Sequence, residues 1–216
     1  MNKKLVIGGV VLLLVIGGGA FLLFSGTETK LGLGESGSDT IPTQWSQAGD
    51  YEIKEVAGQQ TVVTNSKAGF SFKVPEGWEL KGQEYGVQQY FLNLLSSDSQ
   101  LNEENKLLTQ GCGMSLETLY QEQEHTLVQN SIARYSQDPQ KLPDNEQVLT
   151  ISNYSALKTL SIPVDEKVLQ IYGEAIQIQI PFSQDGLIEF GIRMMRDSRA
   201  KCTKEFDKFI ADFFIK

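Results

Sequence analysis

The 216-residue sequence predicts an α+β protein, an α/β/α sandwich with a central antiparallel sheet, preceded by one transmembrane helix. Three observations predict it. Residues 5–24 contain no charged or hydrogen-bonding side chain, several stretches between residues 61 and 195 alternate with a period of two, and two stretches recur at helical spacing. A run of strands with a helix inside it and another closing it suggests an antiparallel sheet with helices packed on it.

The apolar run holds fourteen large apolar residues, five Gly and Ala20. As a helix it would reach about 30 Å, the thickness of a bilayer's hydrocarbon core. Its Leu, Ile, Val and Phe residues favour insertion by roughly 4 to 8 kcal/mol, partly offset by glycine. The competing reading is a cleaved signal peptide, with Lys3 and Lys4 as its charged region and Gly18 and Ala20 before the cut. Cleavage there would leave Phe21, Leu22, Leu23 and Phe24 as an exposed apolar end, so an uncleaved anchor is expected. Lys3 and Lys4 place residues 1–4 in the cytoplasm and the chain after residue 24 outside. No small-xxx-small pair marks a helix-dimer seam.

Residues 25–50 read as a flexible linker, because 13 of the 26 are Gly, Ser or Thr. Trp45 is the exception, read as a first packing contact or as a partner-binding anchor. Residues 51–216 form the expected outer domain. Strands are expected at 61–65, 69–75 (Phe70, Phe72 and Val74 on one face), 90–95 and 106–114. A helix from an N-cap at Ser115 to Asp138 would use Leu116, Leu119, Tyr120, Leu127, Val128, Ile132 and Tyr135 as its apolar stripe. Strands at 147–152 and 155–162 should pair through a turn near Asn153, followed by strands at 167–172, 174–181 and 187–195. A helix over 198–211 and an edge strand at 213–215 close the chain.

Gly69-Phe70-Ser71-Phe72-Lys73-Val74-Pro75-Glu76-Gly77-Trp78 and Phe206-Asp207-Lys208-Phe209-Ile210-Ala211-Asp212-Phe213-Phe214 resemble the opening hairpin and the closing helix and strand of PsbP-like domains of the Mog1/PsbP-like fold. The resemblance covers about residues 61–216. It implies an α/β/α sandwich used as a binding or accessory module outside the cytoplasm, and it carries over no ligand or metal position. The N-terminal anchor departs from the photosystem members and speaks against a photosynthetic role.

Composition excludes several functions. A net charge of −8 offers no basic footprint for nucleic acid. One His and two Cys leave no hydrolytic zinc set, and no nucleophile elbow, P-loop or calcium-loop pattern occurs. No catalytic residue and no cofactor is therefore expected, and His125 reads as a solvated helix-face residue. Asn102, Glu103, Glu104 and Asn105 read as a solvated turn. Cys112 and Cys202 are expected to form a disulfide in an oxidising compartment, closing about 90 residues and contributing about 4 to 5 kcal/mol in the chain-entropy model. Arg193, Arg196, Arg199 and Lys201 form the one basic cluster, and the three arginines are candidate partner-binding residues beside Trp45.

The expected function is that of a single-pass, membrane-anchored, extracytoplasmic binding or accessory module and not an enzyme, with an envelope protein or surface ligand as partner. Two alternatives come from other classes. One is an envelope hydrolase whose carboxylates converge from distant strands into a deep pocket. The other is a pseudopilin-like surface subunit, against which stand the absent Glu after Gly8-Gly9 and the linker in place of a continuous helix.

Overall fold

The computed structural model describes residues 43–55, 58–85, 89–102, 107–163 and 165–216. The expected anchor at 5–24, the residues before it, the linker up to 42 and most of the 102–105 turn lie outside the described residues. Among the described residues no helix is long and apolar enough to cross a membrane.

The elements, in chain order, are β1 (Gln44–Trp45), β2 (Tyr51–Lys54), β3 (Val62–Asn65), β4 (Phe70–Lys73), β5 (Glu79–Tyr85), β6 (Gln89–Leu95), β7 (Gln100–Leu101), β8 (Leu108–Gln110), β9 (Cys112–Tyr120), α1 (Glu122–Gln137), β10 (Glu146–Ile151), β11 (Tyr154–Ser161), α2 (Glu166–Tyr172), β12 (Glu174–Phe182), β13 (Gly186–Met194), α3 (Arg199–Asp212) and β14 (Phe214–Ile215). The main sheet runs β10-β11-β12-β13-β9-β6-β5, with β1 also on β9, and its pairings are antiparallel. A second sheet runs β14-β4-β3-β2, and β7 pairs with β8.

Period-two alternation gives the main sheet two different faces. Met114, Leu116, Ile176, Ile178, Ile180, Ile188, Phe190 and Ile192 enter the larger core, with α3 and the second sheet packed over them. There the two resemblance motifs meet: Phe72 stands edge-on to Phe209 at 5.2 Å, Phe70 lies 5.1 Å from Phe213, and β4 pairs with β14. Trp78 Nε1 donates to Glu205 Oε2 of α3 at 2.6 Å. These motifs are the frame of one core, each buried Phe contributing about 1.5 to 3 kcal/mol. On the other face α1 sets Val128, Ile132 and Tyr135 against Leu119, Leu157 and Leu187. The expected sandwich is present, with a small sheet sharing one outer layer with α3. Cys112, at the start of β9, is bonded to Cys202 in α3, their Cα atoms 5.7 Å apart, and both are fully buried.

Four sequence readings are corrected. The helix expected from Ser115 begins at Glu122, because 112–120 is the β9 strand, hydrogen-bonded on both sides and buried on both faces. Leu116, Leu119 and Tyr120 satisfied a helical spacing by coincidence, and a strand buried on both faces loses its polar alternation. Residues 167–172 belong to α2: Asp165 Oδ1 accepts from the N–H groups of Lys167 and Val168, and Gly173, at φ +66°, ends the helix. A Cβ there would stand 2.2 Å from the Met194 carbonyl oxygen, so only glycine passes. The linker ends earlier than residue 50, because Gln44–Trp45 already pairs with Tyr120 and Leu119. The single strand expected at 106–114 is divided at Gly111, φ +80°, into β8 and the start of β9. Strands β1, β2, β5 and β7 carry too little apolar pattern to announce themselves and are held by their neighbours.

Candidate functional site

Strand β9, α1 and the β12–β13 hairpin converge at one end of the main sheet. Tyr120 ends β9 opposite Gly186, the first residue of β13, so the hairpin turn at Ser183, Gln184 and Asp185 lies beside the start of α1. The Gln121 N–H donates to the Asp185 carbonyl at 2.8 Å, and the His125 N–H donates to the Gln121 carbonyl at 3.0 Å. Ser183 holds a left-handed conformation at φ +53°, and its Oγ accepts from the Gly186 N–H at 3.2 Å. On the far side of Tyr120 stands Gln44 of β1.

Between these elements lies a cleft of about 650 Å³. Its lining is polar: the carboxamides of Gln44, Gln121, Gln129 and Gln184, the carboxylates of Glu122 and Asp185, with Tyr120, His125 and Ser183. No Lys, Arg or aliphatic side chain is among them. The Lys67 ammonium stands 4.2 Å from the centre of the Tyr120 ring.

His125 sits in this lining, and its placement corrects the solvated reading, since only 3% of it is exposed. Helical spacing puts it one turn before Val128 and two before Ile132, on the face turned to the sheet. Burial lowers its pKa below the ordinary imidazole value, opposed by the Asp185 carboxylate and by a hydrogen bond to the Ser183 main chain. Nε2 of this ring, the Tyr120 hydroxyl and Gln121 Oε1 are buried with no hydrogen-bond partner. Unmet buried polar groups cost free energy, on the order of 1 to 3 kcal/mol each.

A second arrangement lies deeper on the same face. Glu117 of β9 and Glu189 of β13 are direct cross-strand partners, 1% and 3% exposed. Gln89 Nε2 donates to Glu117 Oε2 at 3.1 Å, and Gln179 Nε2 donates to Glu189 Oε1. Burial and the charge of Glu189 push the Glu117 carboxyl up to about 8. Glu189 is raised by burial, and Glu124 of α1, itself raised by burial, adds negative charge beside both. At neutral pH the pair therefore holds a proton. A paired, shifted carboxyl couple is what the hydrolase alternative asked for, but here it is almost wholly buried and does not belong to the lining of this cleft.

The residues singled out in the sequence are not brought together. Trp45 is half-buried against the smaller core, as a packing contact. Arg193 is 7% exposed within β13, a central strand, which removes it from the expected surface cluster. Arg196 and Arg199 are exposed and border an open hollow of about 720 Å³ that also has Asp197, Lys204 and Asp207, so its charge is mixed. Arg199 Nε pairs with Glu174 Oε2 at 3.0 Å, and Lys201 Nζ with Asp98 Oδ1 at 2.9 Å. Among the described residues no three His, Cys, Asp or Glu are placed to hold a metal ion. The cleft itself was missed because its residues come from three separate segments; Gln121, Glu122 and His125 looked like an ordinary helix face.

No protein-family model matches the sequence, and no curated protein is similar to it. Among solved structures the chain is similar to LpqN of Mycobacterium tuberculosis, described as involved in cell envelope biogenesis, at 10% identity, over 77% of this chain and 90% of that one, with a TM-score of 0.45. It is also similar to cyanobacterial PsbP from Synechocystis sp. PCC 6803, at 12% identity, over 76% of this chain and 97% of that one, with a TM-score of 0.44.

Proposed function

We propose that the chain is a binding module of the cell envelope, anchored by residues 5–24 with its N-terminus in the cytoplasm and its domain outside. Its binding site is the cleft at the β9–α1 junction. The observation that carries this reading is the contrast between the two polar arrangements. The cleft is open, with the exposed polar side chains of Glu122, Gln129, Gln184 and Asp185 in its lining, whereas the shifted Glu117–Glu189 carboxyl pair is almost wholly buried and outside that lining. Convergent polar groups in a cleft can fix and orient a ligand, and a general acid has to reach the atom it protonates. The anchor reading is supported by the length of the apolar run, and the outside location by the disulfide, which persists in oxidising compartments.

The test is photo-crosslinking in intact cells from single positions on the domain surface. A photoreactive residue at Gln129 or Gln184, on the cleft lip, is expected to give discrete conjugates. One at Lys208, on the exposed side of α3, is expected to give none. Equal labelling from all three positions contradicts the reading.

A further inference from the structure

With the cleft as the binding site, as proposed above, the class of ligand follows from the groups the cleft offers. Its exposed side chains are those of Gln44, Glu122, Gln129, Ser183, Gln184 and Asp185, and every one carries a hydrogen-bonding group. Each of the three carboxamides presents two N–H donors and a carbonyl acceptor, the Ser183 hydroxyl donates and accepts, and the two carboxylates accept. Beneath them the Tyr120 hydroxyl, which donates and accepts, and the Gln121 carbonyl oxygen, which accepts, favour no single sign of charge. A ligand that fits this lining must accept from the carboxamides and donate to the carboxylates.

Several classes fail that condition. An ammonium group has no acceptor for the carboxamides. An anion meets two carboxylates and no cationic side chain in the lining, and an apolar chain finds no aliphatic side chain to pack on. A peptide backbone brings one N–H and one C=O per residue, and its side chains find neither an apolar pocket nor a cation here. Adjacent hydroxyls on a sugar ring both donate and accept, carry no charge, and can donate as a pair to the two oxygens of one carboxylate. The cleft's volume of about 650 Å³ lies within the range of roughly 300 to 1,000 Å³ usual for small-ligand sites.

We propose that the cleft binds a neutral saccharide, whose adjacent ring hydroxyls donate to the Glu122 and Asp185 carboxylates and accept from the Gln44, Gln129 and Gln184 carboxamides.

The experiment titrates the full-length protein, in micelles of a sugar-free detergent, with maltose, cellobiose, lactose, mannobiose and N,N′-diacetylchitobiose, and follows the amide resonances of residues 121–125 and 183–186. At least one disaccharide should give a saturable shift confined to these amides. Its counterpart with one uronic-acid ring, and N-acetyl-triglycine amide as the peptide probe, should each bind about tenfold more weakly. Asp185→Ala should weaken the disaccharide by about tenfold, the size of one lost hydrogen bond to a charged group, and Gln184→Ala by about fivefold, that of a neutral one. The Gln121 N–H bonds the main chain of Asp185, so neither variant removes that contact. A hexasaccharide of the same sugar that binds more tightly than the disaccharide supports a surface polymer as the source, and equal affinity supports a free sugar. No saturable shift with any of these disaccharides overturns the proposal, as does peptide or uronic-acid binding as tight as the best of them, or an affinity that neither variant changes. If the disaccharides fail while crosslinks still form from Gln129 and Gln184, the ligand class is wrong and the cleft stands; if both fail, the functional reading falls with it.

Discussion

Replacing Glu117 by Gln should stabilise the protein, and the gain should grow with pH. A carboxyl that titrates near 4.5 in the unfolded chain and at about 8 in the folded one holds a proton in the native state that the unfolded state gives up. Its contribution to stability is complete below pH 4.5, falls by about 1.4 kcal/mol per pH unit between 4.5 and 8, and levels off above that. The loss amounts to about 3 kcal/mol at pH 7 and about 5 kcal/mol beyond pH 8. Glu189 is shifted in the same direction, so it adds to the trend. A Gln at 117 cannot ionise, keeps the shape, and can donate an N–H to the Glu189 carboxylate across the strand pair. Urea unfolding of the full-length protein, followed by the fluorescence of Trp45 and Trp78, reads the difference directly. The wild type should lose stability from pH 5 to pH 8, and Glu117→Gln should match it near pH 5 and exceed it by about 2 to 3 kcal/mol at pH 7. A stability difference that stays constant from pH 5 to pH 8 would falsify the shared-proton account.

Two further outcomes are expected. Alkylation without reductant should leave the mass of the denatured protein unchanged, and Cys112→Ser should cost about 4 kcal/mol or less, the chain-entropy value for a 90-residue loop reduced by any strain; two alkylated thiols would contradict the bond. Protease added to intact cells should cut the region after residue 24, and full protection there would overturn the outside location.

Where one face of a strand is core and the other is not, the sequence is legible. Phe70, Phe72 and Val74, and Ile176, Ile178 and Ile180, announce their strands, and Asn153, with its left-handed φ of +71°, announces the turn between β10 and β11. It fails at β9, where both faces are buried and Leu116, Leu119 and Tyr120 happen to fall at helical spacing. That one misreading hid the candidate site. With Glu117 placed in a helix, its cross-strand partnership with Glu189 could not be seen, and the true start of α1 at Glu122, beside the hairpin turn, was lost with it. The α2 signal was present in Asp165 and Gly173, but a seven-residue helix rests on its caps more than on periodicity. Register between distant strands, which decides that Gly186 faces Tyr120 and so builds the cleft, is not written in local pattern at all.

Ligand binding at the proposed β9–α1 site is tested most directly by hydrogen exchange of the full-length protein, compared between native membranes and detergent micelles, because an occupant of the cleft must slow exchange at the amides that line it. Protection in native membranes is expected to be confined to residues 121–125 and 183–186. Protection confined instead to the α3 surface around Arg199 and Lys204, or no difference between the two preparations, would contradict it.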